Sequence, residues 1–257
     1  MPANDLDLLI AAAHAAGQVA TSFVGGELDV RHKDDGAGPV TAADLAANAV
    51  LEQTLRGARP GYGWLSEESP DDPARLNTEH VFIVDPLDGT RSFISGENTW
   101  AHSIALAENG RIVAAAIYLP MLNRLYTAAE GSGAHLNGTP IQASDASNPD
   151  TARVLAARPA LDPQHWPGGV PDLRRSHRPS LAYRLSLVAE GRYDAMFTFR
   201  PSWEWDIAAG TLILQEAGAV ATDKTGGPLI FNNPHPQCNG VLAAAPALHA
   251  ALLQRLR

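Results

Sequence analysis

The segment from Val84 to Thr90, Val-Asp-Pro-Leu-Asp-Gly-Thr, places two carboxylates three residues apart directly after a short apolar run. Pro86 restricts its own φ angle and stiffens the turn, and Gly89 lets a backbone N–H approach a ligand closely. Two converging carboxylates repel each other unless a cation lies between them. Oxygen ligands favour Mg²⁺. The segment therefore predicts either a Mg²⁺ site or an ordinary turn with solvated aspartates.

Three further acidic segments are candidates for the same chemistry. Glu67 and Glu68 follow the short apolar run Trp64-Leu65-Ser66, Asp206 lies in Trp-Glu-Trp-Asp-Ile-Ala-Ala-Gly, and Asp44 follows Thr41 in an apolar-periodic stretch. Taken singly, the glutamate pair is typical of a protein surface, and the two aspartates are typical of helix starts, where a negative charge suits the helix dipole. Each segment alone leaves both interpretations open.

The elements that position these residues mix helices with antiparallel hairpins. Apolar spacing and end signals predict helices over residues 6–23, 41–56 with Thr41 as N-cap, 181–190, 206–217 and 247–256. Predicted strands cover residues 81–84, 103–108, 111–118, 124–128, 153–157 and 193–199, with Asn109-Gly110 as a hairpin turn. The first strand is expected to end at Asp85. This mixture favours α+β layers over a pure βαβ fold. The Pro-rich interval 142–179 predicts a boundary between subdomains 1–145 and 146–257.

Composition excludes several function classes. The chain has 257 residues, 45% of them apolar and 18% charged, with a formal net charge of −9. An acidic protein lacks the basic face that nucleic acid polymers and anionic membranes require. The single cysteine, Cys238, allows no internal disulfide. No apolar run reaches the length of a membrane span. We expect a soluble, cytoplasmic protein.

Together, three segments in this order resemble the inositol monophosphatase-like family of metal-dependent, lithium-sensitive phosphatases. They are the Glu67-Glu68 segment, Asp-Pro-Leu-Asp-Gly-Thr at 85–90 and Trp-Asp-Ile-Ala-Ala-Gly at 205–210. The resemblance covers essentially the whole chain. It implies the layered αβαβα sandwich of the inositol monophosphatase and fructose-1,6-bisphosphatase type, and a homodimer. It also implies two or three Mg²⁺ ions per site and a small phosphorylated metabolite as substrate.

The resemblance also assigns roles to individual positions. The residues that match metal ligands are Glu67, Asp85, the Leu87 carbonyl, Asp88 and Asp206. Those that match catalytic positions are Asp44, Glu67 and Thr90, with the Asp44–Thr90 pair orienting and deprotonating the attacking water. Substrate-binding positions are assigned to Lys33, Glu67, Leu87, Asp88, Gly89, Thr90, Arg184 and Asp206.

Two short segments bear on the substrate. Glu204-Trp205-Asp206 and Tyr183-Arg184 resemble the 3′(2′),5′-bisphosphate nucleotidase branch, which hydrolyses adenosine 3′,5′-bisphosphate to AMP and phosphate in sulfur metabolism. A guanidinium at Arg184 can bind a second phosphate through two hydrogen bonds; an ordinary surface arginine is the other interpretation. Inositol monophosphatase or histidinol-phosphate phosphatase is the alternative, with fructose-1,6-bisphosphate as a side substrate. A non-catalytic metal-dependent binding protein is disfavoured because Asp44, Glu67 and Thr90 are all present.

Overall fold

The computed structural model describes residues 2–26, 28–32 and 38–257. The α-helices are α1 (Pro2–Thr21), α2 (Ala42–Ala58), α3 (Thr90–Ile94), α4 (Leu181–Ala189), α5 (Glu204–Glu216) and α6 (Pro246–Arg255). The first strands are β1 (Arg31–His32), β2 (Pro39–Val40), β3 (Gly63–Ser66), β4 (His80–Asp88), β5 (Ala101–Glu108), β6 (Arg111–Leu119), β7 (Arg124–Ala129), β8 (Ala134–Leu136) and β9 (Thr139–Pro140). The later strands are β10 (Arg153–Leu155), β11 (Arg174–Ser176), β12 (Ala195–Thr198), β13 (Ser202–Trp203), β14 (Val220–Thr222), β15 (Gln237–Cys238) and β16 (Val241–Ala244). Short 3₁₀ helices lie at Pro73–Asn77, Pro120–Leu122, Pro149–Thr151, Arg158–Leu161 and Pro163–His165.

The larger sheet has seven strands in the order of the chain, β3 to β9. The pair β3–β4 is parallel, and each following pair is antiparallel. Asn109 and Gly110 join β5 to β6 with φ angles of 49° and 81°, which suit the tight turn of a two-residue hairpin. The hairpin predicted at this dipeptide is confirmed. No helix in the described part of the chain combines the length and apolarity needed to cross a membrane.

Both faces of the larger sheet are buried. In β4, Phe82 and Val84 belong to the core that includes α1 and α2, whereas Val81 and Ile83 belong to the core that includes α4 and α5. This alternation follows from the two-residue repeat of a strand. It explains why the segment contains apolar residues without interruption, since a strand that is covered on both faces has no solvent-facing positions.

The smaller sheet has five strands in the order β11-β10-β12-β16-β14. Its β16 alternates in the same way: Val241 and Ala243 belong to the core around α4 and α5, and Leu242 packs with Leu248 of α6. The layers are therefore α1 and α2, the larger sheet, α4 and α5, the smaller sheet, and α6. The predicted αβαβα sandwich is confirmed.

The helices of the middle layer approach each other very closely at Gly210. A Cβ atom added to this glycine would lie 2.6 Å from Cβ of Leu185. Helices α4 and α5 share one apolar core with both sheets. The division into subdomains 1–145 and 146–257 stays a prediction.

Several element boundaries differ from the prediction by a few residues; α1, for example, begins at Pro2 rather than Leu6 and β5 at Ala101 rather than Ser103. Two of the differences lie at the candidate site. Strand β4 continues through Asp88 instead of ending at Asp85, because Asp88 pairs with Ala101 of β5 after a register shift that follows Asp85. Helix α5 begins at Glu204, two residues before the predicted start at Asp206, with Trp203 as its N-cap residue. The two-residue pair β13–β15 was not predicted, since strands this short give no periodic signal.

Candidate active site

Parallel pairing of β3 with β4 brings two of the predicted carboxylates together. Ser66 is the partner of Val84 in the sheet register, and the N–H of Glu67 donates to the Val84 carbonyl at 3.2 Å. Glu67 and Asp85 therefore follow neighbouring strands at the same edge of the sheet, although 18 residues separate them in the chain.

The start of α5 adds the third carboxylate. Asp206 is the third residue of this helix, and Ser103 Oγ of β5 donates to the Trp205 carbonyl at 3.0 Å. This contact anchors the first helical turn to the strand that pairs with Asp85. As a result, carboxylate oxygens of Glu67, Asp85 and Asp206 lie within 4.8 Å of one another.

Burial and like charge disfavour ionisation of this group. Asp85 is 1% exposed, and burial raises its pKa well above the ordinary value, with the charges of Glu67, Asp88 and Asp206 acting in the same direction. A divalent cation would relieve both effects at once. Because the donors are all oxygens, the residues present fit a hard cation such as Mg²⁺.

The turn after Asp85 is held by side chains as well as by backbone. Asp85 Oδ1 accepts the Leu87 N–H at 2.9 Å, and the Nδ1 atom of the fully buried His102 lies 2.5 Å from the Pro86 carbonyl oxygen. Gly89 has a φ of 101°, a conformation that L side chains rarely adopt. This fixes the direction in which the chain enters α3.

Asp88 lies near the carboxylates of Glu67, Asp85 and Asp206, but one of its oxygens points toward the start of α4. Its Oδ2 accepts Ser180 Oγ at 2.6 Å and the Ala182 N–H at 2.7 Å, so it contacts the first turn of α4, whose N-cap is Ser180. Burial raises the pKa of Asp88 to about 6, while the hydrogen bonds from Ser180 and Ala182 act against that rise. The carboxylate thus joins the motif turn to the middle layer.

The buried Asp44 and the partly buried Thr90 form a hydrogen-bonded pair. Thr90 Oγ1 donates to Asp44 Oδ1 at 3.0 Å, while Asp44 Oδ2 accepts both the N–H and the hydroxyl of Thr41 at 2.8 Å and 2.5 Å. The predicted N-cap at Thr41 is confirmed. Burial raises the pKa of Asp44, and its bonds to Thr41 and Thr90 oppose this.

A cavity of about 940 Å³ opens over these residues. Beyond the carboxylates, its wall carries cationic and aromatic side chains, namely Arg91, Arg184, Arg200, His165, His177, Phe199, Trp203 and Trp205. Arg184 is only 6% exposed. Burial lowers its pKa to about 10, so it keeps its positive charge at neutral pH. Its guanidinium donates to the Arg178 carbonyl and lies 2.8 Å from His177 Nε2.

Most predicted site residues line this cavity. They are Glu67, Asp85, Leu87, Asp88, Gly89, Thr90, Arg184 and Asp206. Asp44 is 1% exposed and is connected to the cavity through its hydrogen bond from Thr90. Lys33 lies outside the described residues. Asp88 is not part of the three-oxygen group of Glu67, Asp85 and Asp206.

The family model of the inositol monophosphatase family matches residues 2–257. The chain belongs to this family. Inositol monophosphatase family members are metal-dependent phosphatases, and the carboxylate group fits that chemistry. An inositol-1-monophosphatase of Mesorhizobium japonicum is 33% identical over 98% of this chain and 96% of its own length. The Nus factor SuhB of Escherichia coli K12 is 34% identical over 85% of this chain and 82% of its own.

Solved structures of the inositol monophosphatase family have the same architecture. The extragenic suppressor protein suhB of Bartonella henselae superimposes with a TM-score of 0.83 at 31% identity, covering 99% of this chain and 98% of the other. The inositol monophosphatase of Thermotoga maritima gives a TM-score of 0.84 at 25% identity, covering 98% and 96%.

Within this family architecture, sequence reasoning predicted Arg184 on the cavity wall but missed the other basic side chains there, Arg91, Arg200, His165 and His177. His177 follows Arg174, Arg175 and Ser176 in the interval interpreted as a boundary, and this run of basic residues was the available signal. His102 carried no signal, because its contact is with a carbonyl 16 residues earlier.

Proposed function

We propose that the chain is a Mg²⁺-dependent 3′(2′),5′-bisphosphate nucleotidase that releases phosphate from adenosine 3′,5′-bisphosphate. The observation that carries the proposal is the composition of the cavity wall. Among the described lining residues, every carboxylate belongs to the set Glu67, Asp85, Asp88 and Asp206, and the wall has no asparagine or glutamine. The rest of the wall combines three arginines, two histidines, Phe199 and two tryptophans with proline and small or apolar residues. The arginines and aromatic rings suit a second phosphate and a base better than a polyol ring.

Glu67, Asp85 and Asp206 are the residues that would hold the Mg²⁺ ions, with Asp88 and the Leu87 carbonyl beside them. Bound Mg²⁺ supplies the positive charge that offsets the phosphate dianion and favours its attack by water. The protein itself provides position: β3, β4 and α5 each fix one carboxylate before any ligand binds. Such preorganisation is the main protein contribution to phosphoryl transfer.

The Asp44–Thr90 pair has the geometry to take a proton from the attacking water. The Thr90 hydroxyl donates to Asp44, which leaves an oxygen lone pair of Thr90 to accept a hydrogen bond from water. Asp44 is the acceptor at the end of this relay, and Thr41 holds its other oxygen in place. The pair therefore orients the water and moves its proton away from the substrate.

Arg184 is the side chain proposed to bind the second phosphate. It faces the cavity and is anchored by the segment from His177 to Pro179 through hydrogen bonds to one imidazole nitrogen and two carbonyl groups. Anchoring a guanidinium in advance reduces the entropy lost when it pairs with an anion. The stacked rings of Trp203 and Trp205, 4.7 Å apart, offer an aromatic surface on the same wall.

The test measures phosphate release from adenosine 3′,5′-bisphosphate, adenosine 3′-monophosphate and inositol 1-phosphate, with Mg²⁺ and with a chelator. We expect the bisphosphate to be preferred and all turnover to stop with the chelator. Arg184→Met is expected to raise KM for the bisphosphate about tenfold or more, the value of a charge-assisted hydrogen bond. It should change turnover of the monophosphates much less, because they carry no second phosphate for the guanidinium to bind. Arg111→Met, at an exposed arginine of β6, is the matched control.

Two outcomes would contradict the substrate proposal. A preference of the wild-type protein for inositol 1-phosphate would favour the activity named for the Mesorhizobium relative. An equal loss on all three substrates in Arg184→Met would give Arg184 a purely structural role. Absence of Mg²⁺-dependent turnover on every substrate would contradict the phosphatase mechanism itself.

A further inference from the structure

Two buried charged side chains from distant parts of the chain form hydrogen bonds with the dipeptide Asn232–Asn233. Glu204, which is 0% exposed, accepts the N–H of Asn232 at 2.6 Å, the N–H of Asn233 at 2.9 Å and the Asn233 side-chain amide at 2.7 Å. Asn232 has a φ of 61°, which turns both N–H groups toward the one carboxylate.

Arg75 holds the same dipeptide through different atoms. It is 2% exposed, and its guanidinium donates to Asn232 Oδ1 at 2.6 Å and to the Asn233 carbonyl at 3.0 Å. Asp71 fixes the guanidinium with bonds of 2.6 Å and 2.9 Å. A buried charge is costly unless its hydrogen bonds are satisfied, and here the dipeptide provides partners for both charges.

Glu204 and Arg75 lie close in the chain to two proposed metal ligands, Asp206 and Glu67. Glu204 is the first residue of α5, two positions before Asp206. Arg75 lies in the 3₁₀ helix that follows Glu67 by a few residues. Neither side chain lines the cavity among the described residues, so neither can act on substrate directly.

We propose that Arg75 and Glu204 are positioning residues that set the separation of Glu67 and Asp206 through the Asn232–Asn233 dipeptide. The inference rests on the proposed function, since it takes these carboxylates as Mg²⁺ ligands. The dipeptide acts as a spacer with defined hydrogen bonds at each end. If the hydrogen bonds to Glu204 or to Arg75 are lost, the start of α5 can shift relative to the segment after β3. A small shift of this kind changes how well the three carboxylates converge on one ion.

The test uses Mg²⁺-induced thermal stabilisation, a readout that needs no turnover. Glu204→Gln keeps the shape but presents an NH₂ group toward backbone donors. Asn232→Gly removes the side-chain contacts of Asn232 with Arg75 and leaves the bond from Arg75 to the Asn233 carbonyl in place. Glycine tolerates the positive φ, so this variant decides the test should Glu204→Gln fail to fold. We expect the Mg²⁺ concentration at half-maximal stabilisation to rise about tenfold in Glu204→Gln and about threefold in Asn232→Gly, within or just below the range for groups that orient metal ligands.

The matched control is Asp194→Asn, which weakens an ion pair between a buried aspartate and the half-exposed side chain of Arg153. Asp194 is 6% exposed and accepts three hydrogen bonds from Arg153 within the smaller sheet. It is expected to lower the melting temperature of the metal-free protein while leaving the half-saturating Mg²⁺ concentration within about twofold of wild type. This separates positioning of the ligands from general loss of stability.

The outcomes separate this inference from the proposed function. Wild-type affinity for Mg²⁺ in Glu204→Gln and Asn232→Gly would overturn the positioning role while leaving the phosphatase proposal intact. An equal weakening in Asp194→Asn would overturn it as well. A wild-type protein that Mg²⁺ does not stabilise would refute the metal-ligand assignment, and this inference with it. A preference for another phosphate ester would leave the inference standing.

Discussion

Binding of Mg²⁺ to the carboxylate group should expel protons, and its affinity should fall as the pH is lowered. The perturbation is a change from pH 7 to pH 5 in the metal-free protein. Burial and like charge raise the pKa of Asp85 well above the ordinary value and that of Asp88 to about 6. Asp88 therefore takes up a proton in this interval, and a metal ion must displace that proton to bind.

The size of the effect follows from Asp88. With a pKa of about 6, this carboxyl is roughly one tenth protonated at pH 7 and roughly nine tenths protonated at pH 5, so the apparent Mg²⁺ affinity falls about tenfold, or about 1.4 kcal/mol. Asp85 acts in the same direction, because its charged form is also disfavoured until a cation arrives. The sign is fixed: raised carboxyl pKa values weaken metal binding in acid and strengthen it toward neutral pH.

Titration calorimetry at pH 6 in two buffers of different ionisation enthalpy counts the protons released. We expect at least about half a proton per Mg²⁺ site from Asp88 alone. Asp88→Asn is the control, since its amide oxygen still accepts hydrogen bonds from Ser180 and Ala182 while the titrating group is gone. Its weaker binding should change less between pH 7 and pH 5. A wild-type affinity that stays within twofold over this interval, with no proton release, would refute the reasoning.

Two further predictions concern stability. Burial lowers the pKa of His102 to about 4. As the pH falls below about 6.5, this histidine therefore takes up a proton in the unfolded chain before it does so in the folded protein, which destabilises the fold. Between pH 7 and pH 4.5 the free energy of unfolding, measured with urea, should fall by about 2 kcal/mol more in the wild type than in His102→Asn. Equal losses in both proteins would show that His102 is not the cause. Gly210→Ala places a Cβ 2.6 Å from Leu185 Cβ and should cost about 1–3 kcal/mol of unfolding free energy, which thermal melting checks. A melting temperature equal to that of the wild type would mean that α4 and α5 are less tightly packed.

The parts of the fold that the sequence predicts well depend on local signals. Asn109-Gly110 determines a hairpin because few residues adopt the positive φ angles that such a turn requires. Thr41 determines the start of α2 because its hydroxyl accepts the Ala43 N–H. The predicted αβαβα order came instead from the family resemblance, since local signals do not specify how layers stack.

At the candidate site, too, local features can be predicted from the sequence and long-range contacts cannot. The motif at Asp85 and Asp88 is visible in the sequence, but its spacing alone allows an ordinary turn. Convergence of Glu67, Asp85 and Asp206 depends on parallel strand pairing and on a helix from the far end of the chain. The contact of Asp88 with Ser180 spans 92 residues, a distance at which hydrophobic periodicity carries no information.

The middle layer has a consequence for how ligands enter and leave. Helices α4 and α5 are shared by the cores of both sheets, and Gly210 lets them pack with almost no gap. Opening the molecule between its halves would expose this core to water, at a cost far above thermal energy. The protein should therefore work without a hinge. The backbone of these layers should superimpose closely in the free and the substrate-bound states.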